Sequence, residues 1–273
     1  MKKRISIVFA IIGLVYLISG CGMPRFQPPY SQINAPAADI KAIKKVLLLG
    51  PEFDQMGLVD DGWLKDTKNT WQKEIIAKWG EFNKDNRFFE IIAPDSNHYS
   101  MLAELLAEQK LKEVPLFDMK TGQINAAYMS RVRTAYGKLA QKAGVDAIMY
   151  MDFVIVPVAI QHNVAMWDGQ FENIASLSFG RMFTAVLGDT TPESYHGKAP
   201  GLSLFAQLID KDGRVLLESR GGYKILTEVK VGAFSNDQKT LSFKEAFKEK
   251  YKSKRNLAIM WALNAVAKIE GSN

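Results

Sequence analysis

Apolar side chains recur at helical spacing along residues 61–84. Leu64, Trp71, Ile75, Trp79 and Phe82 lie seven, four, four and three positions apart, so they share one helix face, with Trp63 at its rim. At that spacing, beside Leu and Ile, the tryptophans are expected as core rather than as a ligand platform. Ahead of this helix, residues 45–50 form an unbroken apolar run closed by Gly-Pro, the pattern of a strand buried on both faces. Residues 88–93 predict a second strand, closed by Pro94. Helices are predicted over 98–109 and 126–143, the latter stopped by Gly144. Residues 145–160 carry the strongest strand pattern, with Ile148, Val154, Ile155, Val156 and Val158, and Pro157 within it predicts an edge or a bulge. Strands alternating with helices predict an α/β domain, or else α+β, with a mixed, partly parallel sheet and helices packed on it.

Further on, residues 202–209 alternate, Asp212-Gly213 is a turn dipeptide and residues 215–217 start a return strand, which predicts a β-hairpin. Asp210-Lys211-Asp212-Gly213 also looks like part of a calcium loop. The register excludes that, because Leu208 and Ser219 fall where ligands are required. Gly221-Gly222 is expected to loosen the return strand, which resumes over 223–231. Residues 242–269 predict a C-terminal helix presenting Phe243, Phe247, Tyr251, Trp261, Ala265 and Ile269. Lys254 would fall on that face, so a break is expected near Ser253. Lys248, Lys250, Lys252, Lys254 and Arg255 form a basic cluster, suited to a solvated helix surface or to lipid headgroups and acidic partners.

Residues 163–200 fit neither a clean strand nor a long helix. They hold Trp167, Phe171, Phe179, Met182 and Phe183 among Gly169, Gly180 and Gly188, and close with Pro192 and Pro200. Connections this long are often functional. Trp167, Phe171, Met182 and Phe183 are therefore the candidate partner-binding residues, and the alternatives are that the stretch is a membrane-inserted hairpin or covers the sheet as ordinary core.

The N-terminus has a different pattern. Lys2, Lys3 and Arg4 precede an apolar stretch of fourteen residues, 5–18, and Ser19-Gly20 then leads to Cys21, the one cysteine in the chain. That run matches a secretory h-region and falls short of the ~20 residues needed to span a bilayer. Ile18-Ser19-Gly20-Cys21 resembles the lipobox of bacterial lipoproteins. The resemblance implies cleavage of a signal peptide, residues 1–20, and lipidation of the Cys21 thiol. Two or three acyl chains on one residue anchor a protein stably, where a single chain does not. Gly22, in place of an aspartate, implies the outer membrane by the same resemblance. Residues 21–44, with Pro24, Pro28, Pro29 and Pro36, read as the lipidated cysteine and a flexible tether, about 60 Å long over some twenty residues at ~3.1 Å each. Residues 45–273 then form a single periplasmic domain.

The chain has 273 residues, 47% hydrophobic and 23% charged, which describes an ordinary globular protein rather than a disordered one. The formal charge is +6, and three cations leave with the signal peptide, so the mature protein has a surplus of three. That does not argue for nucleic acid. With Cys21 lipidated, no disulfide forms within a monomer. No nucleophile elbow, phosphate-binding glycine loop or paired-histidine zinc motif is present, and His98, His162 and His196 are far apart in sequence. No cofactor or metal is expected. Glu52, Asp54, Asp60, Asp61 and Asp152 lie near predicted strand ends, where α/β proteins often place sites, and would serve an envelope hydrolase.

Three segments, Val46-Leu47-Leu48, Gly144-Val145-Asp146-Ala147-Ile148-Met149-Tyr150, and Leu208-Ile209-Asp210-Lys211-Asp212-Gly213-Arg214-Val215-Leu216, occur in an order that resembles a class of lipoproteins. The class includes curli-secretion lipoproteins and lipoprotein activators of penicillin-binding proteins. The resemblance implies an α/β domain acting without catalysis as scaffold, pore subunit or regulator. The chain departs from it around Trp167-Asp168-Gly169. The expectation is a lipid-anchored, non-enzymatic binding or assembly module of the periplasm. Its partners would be the membrane through the lipid, and an envelope protein or a second copy. A subunit of a secretion or transport assembly is the alternative, and an envelope hydrolase a weaker one.

Overall fold

Strand β2 (Lys45–Glu52) is apolar on both sides, and both sides are used. Val46 and Leu48 join one core cluster, while Leu47 and Leu49 join another on the opposite face. A computed structural model of the chain describes residues 27–52, 62–84, 88–114, 125–177, 196–231 and 236–267. Before β2 come β1 (Ser31–Ile33) and the short helix α1 (Ala37–Lys41). After it come α2 (Gly62–Phe82), β3 (Glu90–Ile92), α3 (Ser96–Glu108) and α4 (Ala126–Ala143), then β4 (Ala147–Gln161). Helix α2 buries Leu64, Trp71, Ile75 and Trp79 against the first face, and α3 and α4 cover the second with Leu105, Val132, Tyr136 and Leu139.

The rest of the chain is mostly strand: β5 (Val164–Trp167), β6 (Gln170–Asn173), β7 (Ala175–Leu177), β8 (Gly197–Asp210), β9 (Val215–Ile225), β10 (Thr227–Val231) and β11 (Asn236–Thr240). It ends in α5 (Phe243–Ala246), a 3-10 turn (Glu249–Tyr251) and α6 (Lys252–Ala267). The main sheet runs β1-β9-β8-β4-β2-β3, with β5 added to β4 and β6 to β5. A small second sheet has the order β11-β10-β7.

This corrects the expected class. The main sheet is mostly antiparallel rather than the partly parallel α/β sheet that strand–helix alternation predicts, and the fold is α+β. Within it, parallel pairing is confined to β2 with β3 and β2 with the first residues of β4. The long ladders, β4–β8 over Ala147–Ile160 and β8–β9, are antiparallel, as are β1–β9, β4–β5 and β5–β6. Connection length accounts for three of these pairings: tight turns at 162–163, 168–169 and 211–214 join β4 to β5, β5 to β6 and β8 to β9, and such turns can join only antiparallel neighbours.

Two short motifs act at the start of this sheet. Gly144 ends α4 in the left-handed region (φ 66), and the Asp146 carboxylate then accepts from the amides of Lys44 and Lys45 at 2.9 and 3.0 Å. Those bonds hold the Asp146 carboxyl below the usual carboxylate range, the Lys44 amide contributing most. Asp210 pairs in register with Ala147, accepts from the amides of Asp212 and Arg214, and is ion-paired to Arg214 at 2.7 Å. The segments that carry the lipoprotein resemblance thus open strands and close a turn side by side.

Three local expectations are revised. Residues 27–44, read as tether, lie on the domain: β1 pairs with β9, and Ile40 and Ile43 are buried in the first core cluster. Gly221-Gly222 does precede a slip in the ladder, with Gly222 opposite Ser203 and Lys224 opposite Leu202, but Gly221 has a packing role as well. A Cβ there would stand 2.0 Å from the Ala258 carbonyl oxygen, so glycine lets α6 pack directly on the strand. The C-terminal helix breaks earlier than Ser253, at Lys248, whose backbone is extended (ψ 149).

Candidate functional site

The connection after β2 runs to α2 on one face of the sheet, and the one after β3 runs to α3 on the other. Chain ends that diverge in this way leave a crevice beyond the carboxyl ends of the strands. A cleft of 560 Å³ occupies that place, within the range of about 300–1,000 Å³ usual for small-molecule sites. Leu49, Gly50 and Pro51 of β2 and Tyr150 of β4 form its floor. Helix α2 supplies Lys65, Lys68, Asn69 and Gln72, positions that share the helix side next to the Trp71 stripe. Helix α3 supplies Tyr99, Leu102 and Leu106, and α4 supplies Tyr136.

The lining is fixed from behind. The Gln72 amide donates to the Gly50 carbonyl oxygen at 3.1 Å and to the Tyr99 hydroxyl at 3.4 Å, tying α2, β2 and α3 across the rim. The rings of Tyr136 and Tyr150 lie 5.3 Å apart at 31°. The Tyr150 hydroxyl donates to Asp152 at 3.1 Å, and Asp152 also accepts from the Phe153 amide at 2.7 Å. Asp152 is 0% exposed, so its carboxylate orients Tyr150 and does not itself reach a ligand. Of the other strand-end acids, Glu52 pairs in backbone register with Asp152. Asp54, Asp60 and Asp61 lie outside the described residues.

The stretch 163–200 becomes ordered strand over its first part. Strands β5 and β6 form a hairpin whose turn, Asp168-Gly169, has φ 41 and 78. Trp167 is 3% exposed and its indole N–H donates to the Leu202 carbonyl at 3.3 Å, so it is core rather than the partner-binding residue expected. Phe171, on the outward side, is 55% exposed. Phe179, Met182 and Phe183 lie outside the described residues, as does Cys21.

Polar groups fasten the hairpin down. Asp168 accepts from Ser203 at 2.7 Å and is ion-paired to Arg220 at 3.4 Å. Glu172 pairs with Lys224 and, at 2.8 Å, with Lys254, and it accepts from the Ile225 amide at 3.1 Å. Burial pushes the Lys254 ammonium below its ordinary value against the pull of Glu172. Arg255 is buried too, held by Glu74 and Glu249. The basic cluster is therefore split: Lys254 and Arg255 turn inward, while Lys248, Lys250 and Lys252 are exposed.

The fold also joins residues that the sequence leaves apart. His162 and His196 meet edge to face with ring centroids 4.5 Å apart, while His98 closes the capping box of α3 with Asp95. Among the described residues no group of three or more His, Cys, Asp or Glu is placed to hold a metal. None of the described helices is long and apolar enough to cross a membrane. The cleft was missed at the sequence level because its residues come from five elements. The one available signal was the polar run Lys65, Lys68, Asn69 and Gln72 beside the tryptophan stripe.

No known protein family matches the chain, and neither does any curated protein or solved structure.

Proposed function

We propose that this chain is a lipid-anchored protein of the bacterial outer membrane, acting in the periplasm as a non-enzymatic binding module with its ligand in the cleft beyond β2. The observation that carries the binding reading is the cleft itself. It joins small-molecule size to two lysines, two side-chain amides and three tyrosines, all borne on helices and strands. Such a lining suits a polar small molecule with a ring to lay against tyrosine. Asp152, sealed behind Tyr150, favours binding over hydrolysis by a strand-end acid. The anchor reading rests on the charged start, the fourteen-residue apolar run and Ser19-Gly20-Cys21.

Native mass spectrometry of protein gently solubilised from its own membranes tests both. The expected result is a lipidated mature chain carrying a bound small molecule. Asn69→Trp, which fills the cleft from an exposed helix position, should lose that molecule and keep its melting temperature. A wild type without bound species, or a variant that retains it, would overturn the cleft as the site. Unlipidated wild-type protein would overturn the anchor. Phe171 at 55% and Ile155 at 49% exposure favour one second reading, self-association through the sheet, which sedimentation of Phe171→Ser would decide.

A further inference from the structure

The described chain is fastened to the domain from its first residue. The Gln27 carbonyl accepts from the Gly169 amide at 3.0 Å, and the Tyr30 carbonyl accepts from the Arg220 amide at 2.9 Å. The Arg220 guanidinium lies 4.4 Å over the Tyr30 ring, and β1 follows on the edge of the sheet. Only the six peptide steps from Cys21 to Gln27 precede this attachment. Fully extended they reach roughly 20 Å, a third of the length expected for the tether. A domain on so short a leash rests close to the surface that holds its lipid.

The surface beside the attachment is cationic. Gly169 packs on Trp261 of α6, and a Cβ there would be 2.8 Å from the indole nitrogen. Three residues along the same hairpin, about 10 Å away at strand rise, Glu172 meets Lys254 at the start of α6. Lys250, Lys224 and Lys254 surround the Tyr251 ring at 4.8, 5.0 and 5.9 Å. Residues 244–252 present four exposed cations, Lys244, Lys248, Lys250 and Lys252, against two acids, Glu245 and Glu249, a surplus of two out of the three of the whole mature chain. Lys244 and Lys248 are exposed without a carboxylate partner among the described residues, and Lys250 rests on Tyr251.

We infer that the segment 244–254 is a docking face for the anionic headgroups of the leaflet in which Cys21 is anchored, an inference that rests on the lipid-anchor reading. Charges within a Debye length of ~10 Å of an anionic surface are attracted to it. The short leash brings the lysines to that distance, and the docked orientation follows from where the leash attaches.

The test uses the lipidated mature protein in vesicles of neutral phosphatidylcholine, or of the same lipid with a quarter phosphatidylglycerol. With Cys21 blocked by lipid, Ser253→Cys takes a fluorophore beside the proposed face, and Glu104→Cys takes one on α3, across the sheet. Quenching by a headgroup-level spin label is expected at 253 in the anionic vesicles and not at 104. At 253 it should drop to the neutral-vesicle level in 0.5 M salt and in Lys244→Glu/Lys248→Glu/Lys250→Glu, three exposed changes. Equal quenching at 253 in both vesicles, or quenching untouched by the triple change, overturns the docking face and leaves the anchor standing. Protein that floats with neither vesicle removes the anchor reading and this inference with it. Dependence on a co-purifying protein, rather than on lipid charge, assigns the face to a protein partner and overturns the inference.

Discussion

A methyl group on Gly221 would stand 2.0 Å from the Ala258 carbonyl oxygen and 2.8 Å from its carbon, both backbone atoms of a packed helix. Nothing flexible can give way, so Gly221→Ala must push α6 off β9. It is expected to cost at least the 1–3 kcal/mol typical of overpacking, roughly. Gly80, in the last turn of α2 with open space where a Cβ would go, is the control: Gly80→Ala should stabilise by up to about 0.5–1 kcal/mol. Chemical denaturation of both variants checks the pair, and equal effects would show that the close approach is not as described. Trp71 is the other decisive residue. It is fully buried, edge-on to Phe153, Tyr223 and Phe247 with centroids at 4.7, 5.0 and 6.1 Å, so Trp71→Ala should cost about 3–5 kcal/mol. A loss below ~1 kcal/mol, well under that cavity range, would place the ring outside the core. The two residues differ in legibility. Trp71 belongs to a stripe whose spacing states its face, whereas the role of Gly221 depends on a helix 37 residues downstream that no local pattern reveals.

Element by element, legibility follows how local the cause is. Helix α4 runs over the predicted residues because Asn125 caps its start, the Asn125 side chain accepting from the Ala127 amide at 2.9 Å, and Gly144 ends it. The β5–β6 hairpin also had a local signal. Asp168-Gly169 takes positive φ at both positions, the type I′ pattern that Asp-Gly favours. Its strands are only four residues long, and half of their inward positions are polar: Gln170 and Glu172 face in, beside Ala165 and Trp167. Alternation of apolar and polar residues therefore fails as a marker there, since the buried polar groups are satisfied by β8, β9 and α6, all distant in sequence. Helix α5 carries its own testable device. Ser242 and Glu245 form a capping box, the Ser242 amide donating to Glu245 at 3.0 Å, and Lys239 adds an ion pair at 3.1 Å. The Ser242 amide first, and then Lys239, hold the Glu245 carboxyl down at about 2. A carboxyl depressed in the folded state contributes stability above its unfolded value, ~4.3. That contribution is lost as pH falls from there through about 2. Side-chain NMR titration should place the Glu245 midpoint well below those of exposed glutamates. Lys239→Ala should raise it, and a normal midpoint in the unaltered protein would refute the box.

At the scale of the whole molecule, the N-terminal boundary of the domain was the least legible feature. Prolines at 24, 28, 29 and 36 describe a stretch without regular ladders, and among the described residues 27–36 Ser31–Ile33 is the exception. What they do not disclose is that an irregular chain can still be packed. Ile33 pairs in register with Leu217, the Asn34 amide donates to the Leu216 carbonyl at 2.8 Å, and Ile40 and Ile43 are 3% and 7% exposed beneath the first core face. Burying an isoleucine contributes about 1.5–3 kcal/mol, so these two side chains together, about 3–6 kcal/mol, are a large share of a domain's net margin of about 5–15 kcal/mol. The edge strand contributes less, because it is three residues long and Ile33 is half exposed. Three starting points separate the contributions. A chain beginning at Gln27 should melt cooperatively at the temperature of the full chain, since everything fastened to the sheet is kept. One beginning at Ala38 loses β1 and the Tyr30–Arg220 contact but keeps both isoleucines, and should melt cooperatively at a lower temperature. One beginning at Lys45 exposes the surface beneath Ile40 and Ile43, and should lose several kcal/mol, roughly the two burial terms together. Calorimetry of the three decides it. Identical melting from Gln27 and Lys45 would restore residues 27–44 to the tether, and with it the long leash that this packing denies.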